Sequence, residues 1–590
     1  MSISSQLFCF IILICFPIST ISYRTDSNNK RNGQLVELEN GLIQGKLEKV
    51  LDTHVESYLG IPYAKPPLNE LRFRKPQPFN SNYSNDVYNA TYFRSACMQK
   101  YGDEAIENLG GVDFSEDCLH INIWVPHDKF VHSPLKPVLF YIFASSFRQS
   151  SPAKPSNGGQ FLSAVGDIIV VEPNYRIGFL GFACCGENFD DMPGNLGFHD
   201  IIMALKWVRN NIRSFGGDPE AITISGASAG AMLAMMLAQT PEVPQSWFNN
   251  IFIMSGIPAN GVLDSIDVGI EKTQFILKQV GCSNSIGNYS HSFLTEDEIE
   301  CLRSANLTAI LELQDAEQTV LIGASIKHGM IPVYGDQLLP ESPELSLSSK
   351  KFPPSHKSFV IGNVQQETSW ETDYWPVNKS EAIDFLMTRL KSMLKTNNRQ
   401  TLDKLKKMIY NYLGDVDEND RFKIRGAMNR FCSDWSMKCP SLYFAEKLAI
   451  KKNIVHLYIF NYVSKVYTRA DGTSERPFGS RHGDDTLLIF GQPFRDPYNY
   501  NHQDRLMSKK LMKLYTDFVK NRRLPWPPVL TDGKRVEPLY WKISGSLDSM
   551  DIDVVRMTKQ CEELNELRNH EFYDNQSVDS FEDGYRWKKK

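Results

Sequence analysis

The sequence predicts an α/β fold in which a mostly parallel central sheet carries helices on both faces. Short apolar runs alternate with amphipathic stretches, and the runs are continuous rather than alternating, as in strands buried on both sides. A length of 590 residues would by itself suggest roughly four domains. Because the chain has no internal repeat, low-complexity block or long linker, we instead expect one large domain with insertions.

The predicted elements follow one another in chain order. Runs such as PVLFYIF and DIIVV have the length and composition of buried strands, whereas HDIIMALKWVRNNI has apolar residues at helical spacing. Two late segments, Asp504 to Asn521 and Asp551 to Asn569, are amphipathic and predict helices. The predicted strands are Pro137 to Phe143, Asp167 to Val171, Ala221 to Ile224, Phe359 to Gly362 and Val455 to Phe460, and the helices between them are His199 to Ile212 and Gly230 to Gln239.

The two ends of the chain predict a secreted protein. An apolar run from Leu7 to Phe16 is too short to span a bilayer, which needs about 20 residues, but it suits a signal peptide over residues 1–22. A buried N-terminal strand or helix is the alternative. Residues 23–570 then form the domain, and residues 571–590 form a polar, disordered tail without an apolar anchor signal. Secretion would expose six N-x-S/T sequons to glycosylation: Asn82, Asn89, Asn288, Asn306, Asn378 and Asn575.

Composition disfavours two classes of function. The chain has 64 basic and 69 acidic residues, a net charge of −5, so it lacks the basic excess that holds a nucleic-acid backbone. It contains no C-x-x-C pair, and His120 beside Cys118 has no second pair of ligands, which disfavours a zinc site. We therefore expect no nucleic-acid partner and no metal.

The placement of the cysteines favours disulfides that close surface loops. Cys97 and Cys118 bracket a Gly- and Asp-rich stretch, and Cys282 and Cys301 bracket another polar segment. In an oxidising compartment each pair is expected to form a disulfide. The cysteines that spacing alone does not pair are Cys184, Cys185, Cys432, Cys439 and Cys561.

A candidate catalytic motif, G-A-S-A-G, occupies residues 226–230. It falls between a predicted strand and an Ala-rich predicted helix, where a sharp turn would raise the Ser228 hydroxyl above the edge of the sheet. A structural serine in a tight turn is the alternative. A nucleophilic serine needs a base and an acid that orients the base, and in hydrolases of this architecture both follow the serine, the acid first. Glu367, after the FVIG strand, and His482, in a Gly-flanked loop, fit that order.

Longer motifs carry a family resemblance: YLGIPYAKPP (58–67), SEDCLHINIWVP (115–126), NYRIGFLGF (174–182), and PGNLGFHD leading on to WVRNNIRSFGGDP (193–219). On these motifs the chain resembles the type B carboxylesterase and cholinesterase family of α/β-hydrolases, over nearly its whole length. The resemblance implies Ser228 as nucleophile, Glu367 as acid and His482 as general base, and a reaction that needs no metal or cofactor. It also implies the disulfides Cys97–Cys118, Cys282–Cys301 and Cys439–Cys561, with Cys184, Cys185 and Cys432 left over.

The chain departs from that family in the loop that should hold the oxyanion. Where the family has a run of the form HGGGF, residues 143–147 are FASSF, so Ser145, Ser146 and Ala229 would supply the backbone N–H donors. Serine keeps its N–H, but its Cβ restricts the backbone. Two functions stay open: a secreted serine esterase, or a catalytically weak or inactive cholinesterase-like binding or adhesion protein. The esterase is favoured because all three triad residues are present.

The resemblance also bears on substrate and partners. The segment between Cys97 and Cys118 has no Trp to hold a quaternary ammonium, and Ala227 stands where cholinesterases have Glu, so we expect a small-molecule ester other than a choline ester. Related enzymes pair two late helices in a dimer contact. A homodimer through the C-terminal helices and packing of both helices on their own domain are equally open.

Overall fold

The computed structural model describes most of the chain, and the statements below refer to that part. It comprises residues 35–83, 87–100, 109–127, 134–184, 191–259, 262–283, 293–314, 329–349, 356–368, 378–394, 396–467, 478–531, 536–537, 540–544 and 559–574. The predicted signal peptide and Cys185 lie outside the described residues, as do the sequons at Asn288 and Asn575. From Gly33 onward the chain clusters as one unit.

A ten-stranded sheet lies at the centre of the described chain. Its strands are β1 (Lys46–Val50), β2 (Thr53–Pro62), β3 (His120–Pro126), β4 (Lys136–Ile142), β5 (Ile169–Pro173), β6 (Gly217–Ala227), β7 (Asn250–Met254), β8 (Ser358–Val364), β9 (Ile454–Phe460) and β10 (Tyr540–Ile543). They are ordered β10-β9-β8-β7-β6-β4-β5-β3-β2-β1. The strands from β10 to β5 pair in parallel, and the edge formed by β5, β3, β2 and β1 is antiparallel.

Helices connect and cover these strands. They are α1 (Gln160–Gly166), α2 (Gly178–Phe182), α3 (Leu196–Asn211), α4 (Ala229–Gln239), α5 (Ile266–Gln279), α6 (Glu296–Ser304), α7 (Leu307–Gln314), α8 (Pro343–Ser348), α9 (Lys379–Met393), α10 (Arg399–Leu413), α11 (Arg421–Ser433), α12 (Cys439–Ile450), α13 (Asp484–Ile489), α14 (Gln492–Arg495), α15 (His502–Asn521) and α16 (Lys559–Asp574). Short two-stranded and three-stranded sheets lie outside the central one: Leu35–Leu38, Gly41–Gln44 and Val87–Asn89; Ala96–Cys97 and Phe114–Ser115; Asp264–Ser265 and Val333–Tyr334; Leu530–Thr531 and Val536–Glu537.

The central parallel strands are buried on both faces. Every residue of β7, with the sequence NIFIM, is buried, and so is every residue of β8. Because successive side chains of a strand point to opposite faces, burial of all of them means that both faces of the sheet are covered. This confirms the predicted α/β fold with a mostly parallel sheet, and all five predicted strands form, with ends that differ from the prediction by a few residues.

The two late helices also form, with shifted ends. The first is α15, which begins at His502, two residues before the predicted start. The second is α16, described from Lys559, since residues 551–558 lie outside the described chain. It continues to Asp574, so residues 571–574 are helical rather than part of a disordered tail, and the remainder of the predicted tail lies outside the described residues.

Three predicted disulfides are confirmed. They are Cys97–Cys118, Cys282–Cys301 and Cys439–Cys561, with Cα–Cα distances of 5.0, 5.5 and 5.1 Å. The expectation that Cys184 would be left over is wrong, because Cys184 is disulfide-bonded. It is fully buried behind α5, where Gly269 leaves room for its sulfur, a tertiary contact that spacing along the chain does not reveal. Cys432 is partly buried in α11 and belongs to none of the three pairs.

No helix in the described ranges combines the length and the apolar character needed to cross a bilayer.

Candidate active site

Ser228 lies at the turn between β6 and α4, as predicted. Its backbone has φ +54° and ψ −123°, a left-handed conformation that costs a non-glycine residue energy and is found mostly at functional sites. Its N–H donates to the Met254 carbonyl at 2.9 Å, which ties the turn to the end of β7. The helix begins at the next residue, so the N-terminal end of α4 points at the serine.

Both glycines of the motif are required by close packing. A Cβ on Gly226 would lie 2.3 Å from the carbonyl carbon of Gly230, and one on Gly230 would lie 2.1 Å from the Ile142 carbonyl oxygen. These distances are far below a normal van der Waals contact, so helix α4 can start directly against β4 and β6 only if both positions lack side chains. The strand–turn–helix arrangement is thus built into the motif.

Glu367 and His482 form a hydrogen-bonded pair, although they lie 115 residues apart. Oε2 of Glu367 is 2.8 Å from Nδ1 of His482. Oε1 accepts from the Val364 N–H at 2.9 Å and from the Asn363 side-chain amide at 3.1 Å, so both carboxylate oxygens have partners. The Glu367 N–H donates to Ser433 Oγ at 2.9 Å. The carboxylate is fully buried and held in one orientation toward the imidazole.

The electrostatics of the pair favour its charged form. Burial would raise the pKa of Glu367, but its hydrogen bond to His482 and the imidazole charge outweigh burial, so the pKa of the carboxyl is lowered. Burial would lower the pKa of His482, but the bond to Glu367, the Glu367 charge and the nearby Asp485 and Asp484 raise it above its ordinary value. The imidazolium that forms when a histidine accepts a proton is therefore stabilised here.

Ser228 and His482 open into the same cavity, which has a volume of about 500 Å³. All three predicted oxyanion donors, Ser145, Ser146 and Ala229, also line it. Within the described chain their backbone N–H groups have no hydrogen-bond acceptor. The fold thus brings the predicted nucleophile, base and donors to one cavity, with the predicted acid behind the base.

The hydroxyl of Ser145 is engaged beneath the loop. Its Oγ lies 2.8 Å from Tyr175 Oη and accepts from the Phe147 N–H at 3.0 Å. Tyr175 Oη also donates to the Phe143 carbonyl at 3.2 Å, and the two rings pack 4.7 Å apart. Ser145 is only 3% exposed. Because the Ser145 hydroxyl is bound to Tyr175 and to the Phe147 N–H, it is not available to fill the position of an oxyanion.

Ser146 has a backbone conformation that favours glycine. Its φ is +49°, and the next residue, Phe147, has φ +61°, so two consecutive non-glycine residues are left-handed. Ser146 is exposed and makes no side-chain hydrogen bond in the described chain. The Phe147 carbonyl accepts a hydrogen bond from the Gly178 N–H at 2.6 Å. The Phe147 ring packs edge-on to the Phe182 ring, with 5.4 Å between the ring centres. These contacts hold the loop in a conformation that favours glycine.

Several residues that support the site were not identified from the sequence. Tyr175 lies inside the NYRIGFLGF motif and Asn363 directly before the end of β8, so each had a local signal as a polar residue in or next to a motif. Ser433, at the end of α11, had none, because only tertiary packing brings it to Glu367. Lys154 and Arg389 also line the cavity, and no motif singles them out.

The chain is similar to known esterases along most of its length. A family model described as the carboxylesterase family matches residues 32–549. Acetylcholinesterase-1 of Trittame loki is 30% identical over 549 residues, which cover 88% of this chain and 91% of that protein. The cholinesterase of Mus musculus is 30% identical over 529 residues, or 87% and 81% of the two chains. The acetylcholinesterase of Bungarus fasciatus is 30% identical over 509 residues, or 83% and 79%.

Proposed function

Because the chain belongs to the carboxylesterase family, we propose that it is a serine hydrolase that cleaves carboxylic esters through Ser228, Glu367 and His482. One observation carries the proposal. Ser228 and His482 line one cavity, and Nδ1 of His482 lies 2.8 Å from the buried Glu367 carboxylate. A serine, a base and an acid that orients the base are the parts that acyl transfer requires.

The reaction starts with His482 neutral. Its Nδ1–H donates to Glu367, so Nε2 has the lone pair that takes the proton of Ser228 Oγ. The Ser228 oxygen bonds to the ester carbonyl carbon, and the π electrons of the C=O bond move to its oxygen. The tetrahedral species collapses, the C–O bond to the alcohol breaks, and His482 returns its proton to the alcohol. Water then repeats the sequence on the acyl-enzyme, which releases the acid and restores Ser228.

The negative oxygen of the tetrahedral species needs donors that are already in place. Ser145, Ser146 and Ala229 each contribute a backbone N–H without an acceptor in the described chain, and Ala229 is the first residue of α4. The partial positive charge at a helix N-terminus favours the same oxygen. Loss of one such donor typically costs about 10²–10³ in rate.

One observation favours the alternative of a catalytically weak or inactive binding protein. The loop has serine at two positions where the resembled family has glycine. Two others favour the enzyme, namely that the Ser145 hydroxyl is bound to Tyr175 and that Ser146 has the left-handed φ that glycine would adopt. The Ser146 backbone is thus in the conformation that glycine favours.

We also propose that the protein is secreted and glycosylated. Disulfides such as Cys97–Cys118 form in oxidising compartments. The sequon residues Asn82, Asn89 and Asn306 are exposed and Asn378 is partly exposed, as glycan attachment requires. Release from a producing cell together with a mass loss on peptide N-glycosidase treatment would support both statements, and retention inside the cell would contradict them.

A homodimer through α15 and α16 is a further proposal. Each helix packs one side on its own domain, as at Leu511 and Leu564, which the alternative also requires. The dimer contact would use the sides that remain exposed, which include Lys513 and Glu566. Sedimentation equilibrium distinguishes a dimer from a monomer directly, and a monomer at micromolar concentration would contradict the proposal.

Hydrolysis of short p-nitrophenyl esters tests the esterase proposal. We expect turnover by the purified protein and a loss of about 10⁴-fold or more in kcat for Ser228→Ala and for His482→Ala, since triad residues act as a unit. Ser246→Ala is the matched control, because it makes the same change at an exposed position outside the cavity. Equal rates for the parent and Ser228→Ala would refute the proposed function.

A further inference from the structure

The cavity that contains Ser228 and His482 is apolar over most of its described wall. Its apolar side chains include Met232, Ile331, Leu386, Phe431 and Trp435. A cavity of this kind, about 500 Å³ in volume, takes the hydrocarbon part of a small ligand. The charged side chains in the described part of the wall are both basic, Lys154 and Arg389.

The backbone of Lys154 is held in place by its own turn. Its N–H donates to the Ser151 carbonyl at 3.1 Å, and its carbonyl accepts from the Asn157 N–H at 2.8 Å. Its ammonium has no carboxylate partner in the described chain. Lys154 is exposed, and the protein that covers part of its side chain lowers the pKa of the ammonium. An exposed cation without a counter-ion can pair with an anion that enters the cavity, and solvent limits this gain to that of a partly exposed ion pair.

Lys154 also lines a second cavity, of about 550 Å³. Arg495 lies in that wall, with its guanidinium 4.8 Å from the centre of the Phe161 ring, and donates to the Gly158 carbonyl at 2.8 Å. The acid in the described part of this wall, Glu48, is already paired with Lys46 at 2.9 Å. The surroundings of Lys154 on this side therefore add positive rather than negative charge.

Resting on the proposed function, we propose that the site prefers esters whose acyl chain is apolar and ends in an anionic group, with Lys154 as the residue that binds the anion. The apolar wall takes the chain, and the ammonium of Lys154 pairs with the terminal carboxylate. The residue before the nucleophile, Ala227, contributes no opposing carboxylate. Among esters whose acyl chain ends in an anionic, a neutral or a cationic group, we expect the cationic ester to be the poorest substrate.

Three matched p-nitrophenyl esters measure this preference: those of octanoic acid, of suberic acid (as the monoester), and of 7-(trimethylammonio)heptanoic acid. Their acyl chains have the same length and end in a methyl, a carboxylate or a quaternary ammonium. A partly exposed ion pair is expected to raise kcat/KM for the suberate ester over the octanoate ester by about 5-fold. The cationic ester should fall below the octanoate ester, and salt should reduce the difference.

Lys154→Met and a control variant separate the role of this lysine from net charge. We expect Lys154→Met to bring the ratio of the suberate to the octanoate ester close to one. Lys513→Met makes the same change on an exposed face of α15, where Lys513 pairs with Asp517 at 2.9 Å, and should keep the parent ratio. A parent ratio at or below one, or a ratio that Lys154→Met leaves unchanged, would overturn the inference while the esterase proposal stands.

Equilibrium binding tests the inference without turnover. In Ser228→Ala protein, octanoate is expected to bind more tightly than octanol, and octyltrimethylammonium more weakly, in isothermal titration calorimetry. Lys154→Met in that background should remove the advantage of octanoate. If the parent cleaves no ester, the proposed function fails, and this series still decides the inference: equal affinities for the three ligands would overturn it.

Discussion

Restoring glycine to the two loop serines is expected to change stability in opposite directions. Ser146 has φ +49°, where a Cβ costs a non-glycine residue roughly 1–2 kcal/mol. Ser146→Gly releases that strain but adds about 0.4–1 kcal/mol of conformational entropy to the unfolded chain. We therefore expect the free energy of unfolding to rise by about 0.5–1 kcal/mol.

Ser145→Gly should have the opposite effect. Ser145 has no left-handed backbone to relieve, and its Oγ makes hydrogen bonds with Tyr175 Oη at 2.8 Å and with the Phe147 N–H at 3.0 Å. Each bond contributes about 1 kcal/mol, and glycine adds unfolded-state entropy on top. The free energy of unfolding should therefore fall by about 2–3 kcal/mol. Ser145→Ala removes the bonds without the glycine entropy and should give a smaller loss.

Thermal unfolding followed by intrinsic fluorescence measures both effects. An unfolding entropy of about 2.1 cal/mol/K per residue makes 1 kcal/mol worth about 1 °C in Tm for a chain of this size. The two glycine variants should therefore lie about 3 °C apart, on either side of the parent. A Ser145→Gly protein as stable as the parent, or a Ser146→Gly protein less stable than it, would refute this account of the loop.

Three other predictions concern acid–base chemistry and cross-linking. Burial would lower the pKa of His482, but its bond to Glu367 raises it above 6.5, so kcat/KM should fall as pH drops through that raised pKa, and Glu367→Gln should move the fall to lower pH. The Cys439–Cys561 disulfide spans 122 residues, so replacing both cysteines with serine should lower the free energy of unfolding by about 5 kcal/mol in denaturant melts. Glu172 is fully buried, and burial raises its pKa well above 4.5, so the folded state keeps a proton that the unfolded state loses. The protonated Glu172 therefore stabilises the folded state below about pH 4.3, and this stabilisation is lost as the pH rises above that value. In Glu172→Gln the free energy of unfolding should fall less steeply as the pH rises.

Each of these has an outcome that would contradict it. A pH profile for Glu367→Gln with the same midpoint as the parent would mean that the carboxylate does not set the pKa of His482. Unchanged denaturant midpoints in the double serine variant would mean that the Cys439–Cys561 cross-link does not stabilise the fold. Parallel stability curves for the parent and Glu172→Gln between pH 5 and pH 8 would mean that Glu172 is ionised in the folded protein.

The parallel core was predictable from the sequence because its strands are buried on both faces. An uninterrupted apolar run such as Pro137 to Phe143 is typical of a strand that is covered on both faces, and β4 forms there. The antiparallel edge was not predicted. Strand β1, KLEKV, has exposed and partly exposed residues in all but its last position, and such a segment becomes a strand mainly because β2 pairs with it.

The candidate catalytic residues were predictable from the sequence because their order along the chain and the motifs around them indicate the same positions. Ser228, Glu367 and His482 follow a fixed order, and local glycines mark the turn around the serine. The direction of the Ser145 side chain was not predictable, because its partner Tyr175 lies 30 residues away and only the folded sheet brings them to 2.8 Å. The same limit applies to Lys154, whose turn joins the cavity through tertiary packing.

Covalent labelling of Ser228 tests the central claim most directly. A fluorophosphonate probe reacts with a serine only if the serine is activated by a base and the phosphoryl oxygen finds hydrogen-bond donors. We predict that the full-length protein forms a one-to-one adduct that peptide mass spectrometry assigns to Ser228, and that Ser228→Ala forms none. An unlabelled parent protein with an intact fold would contradict the account and favour a binding role for this cavity.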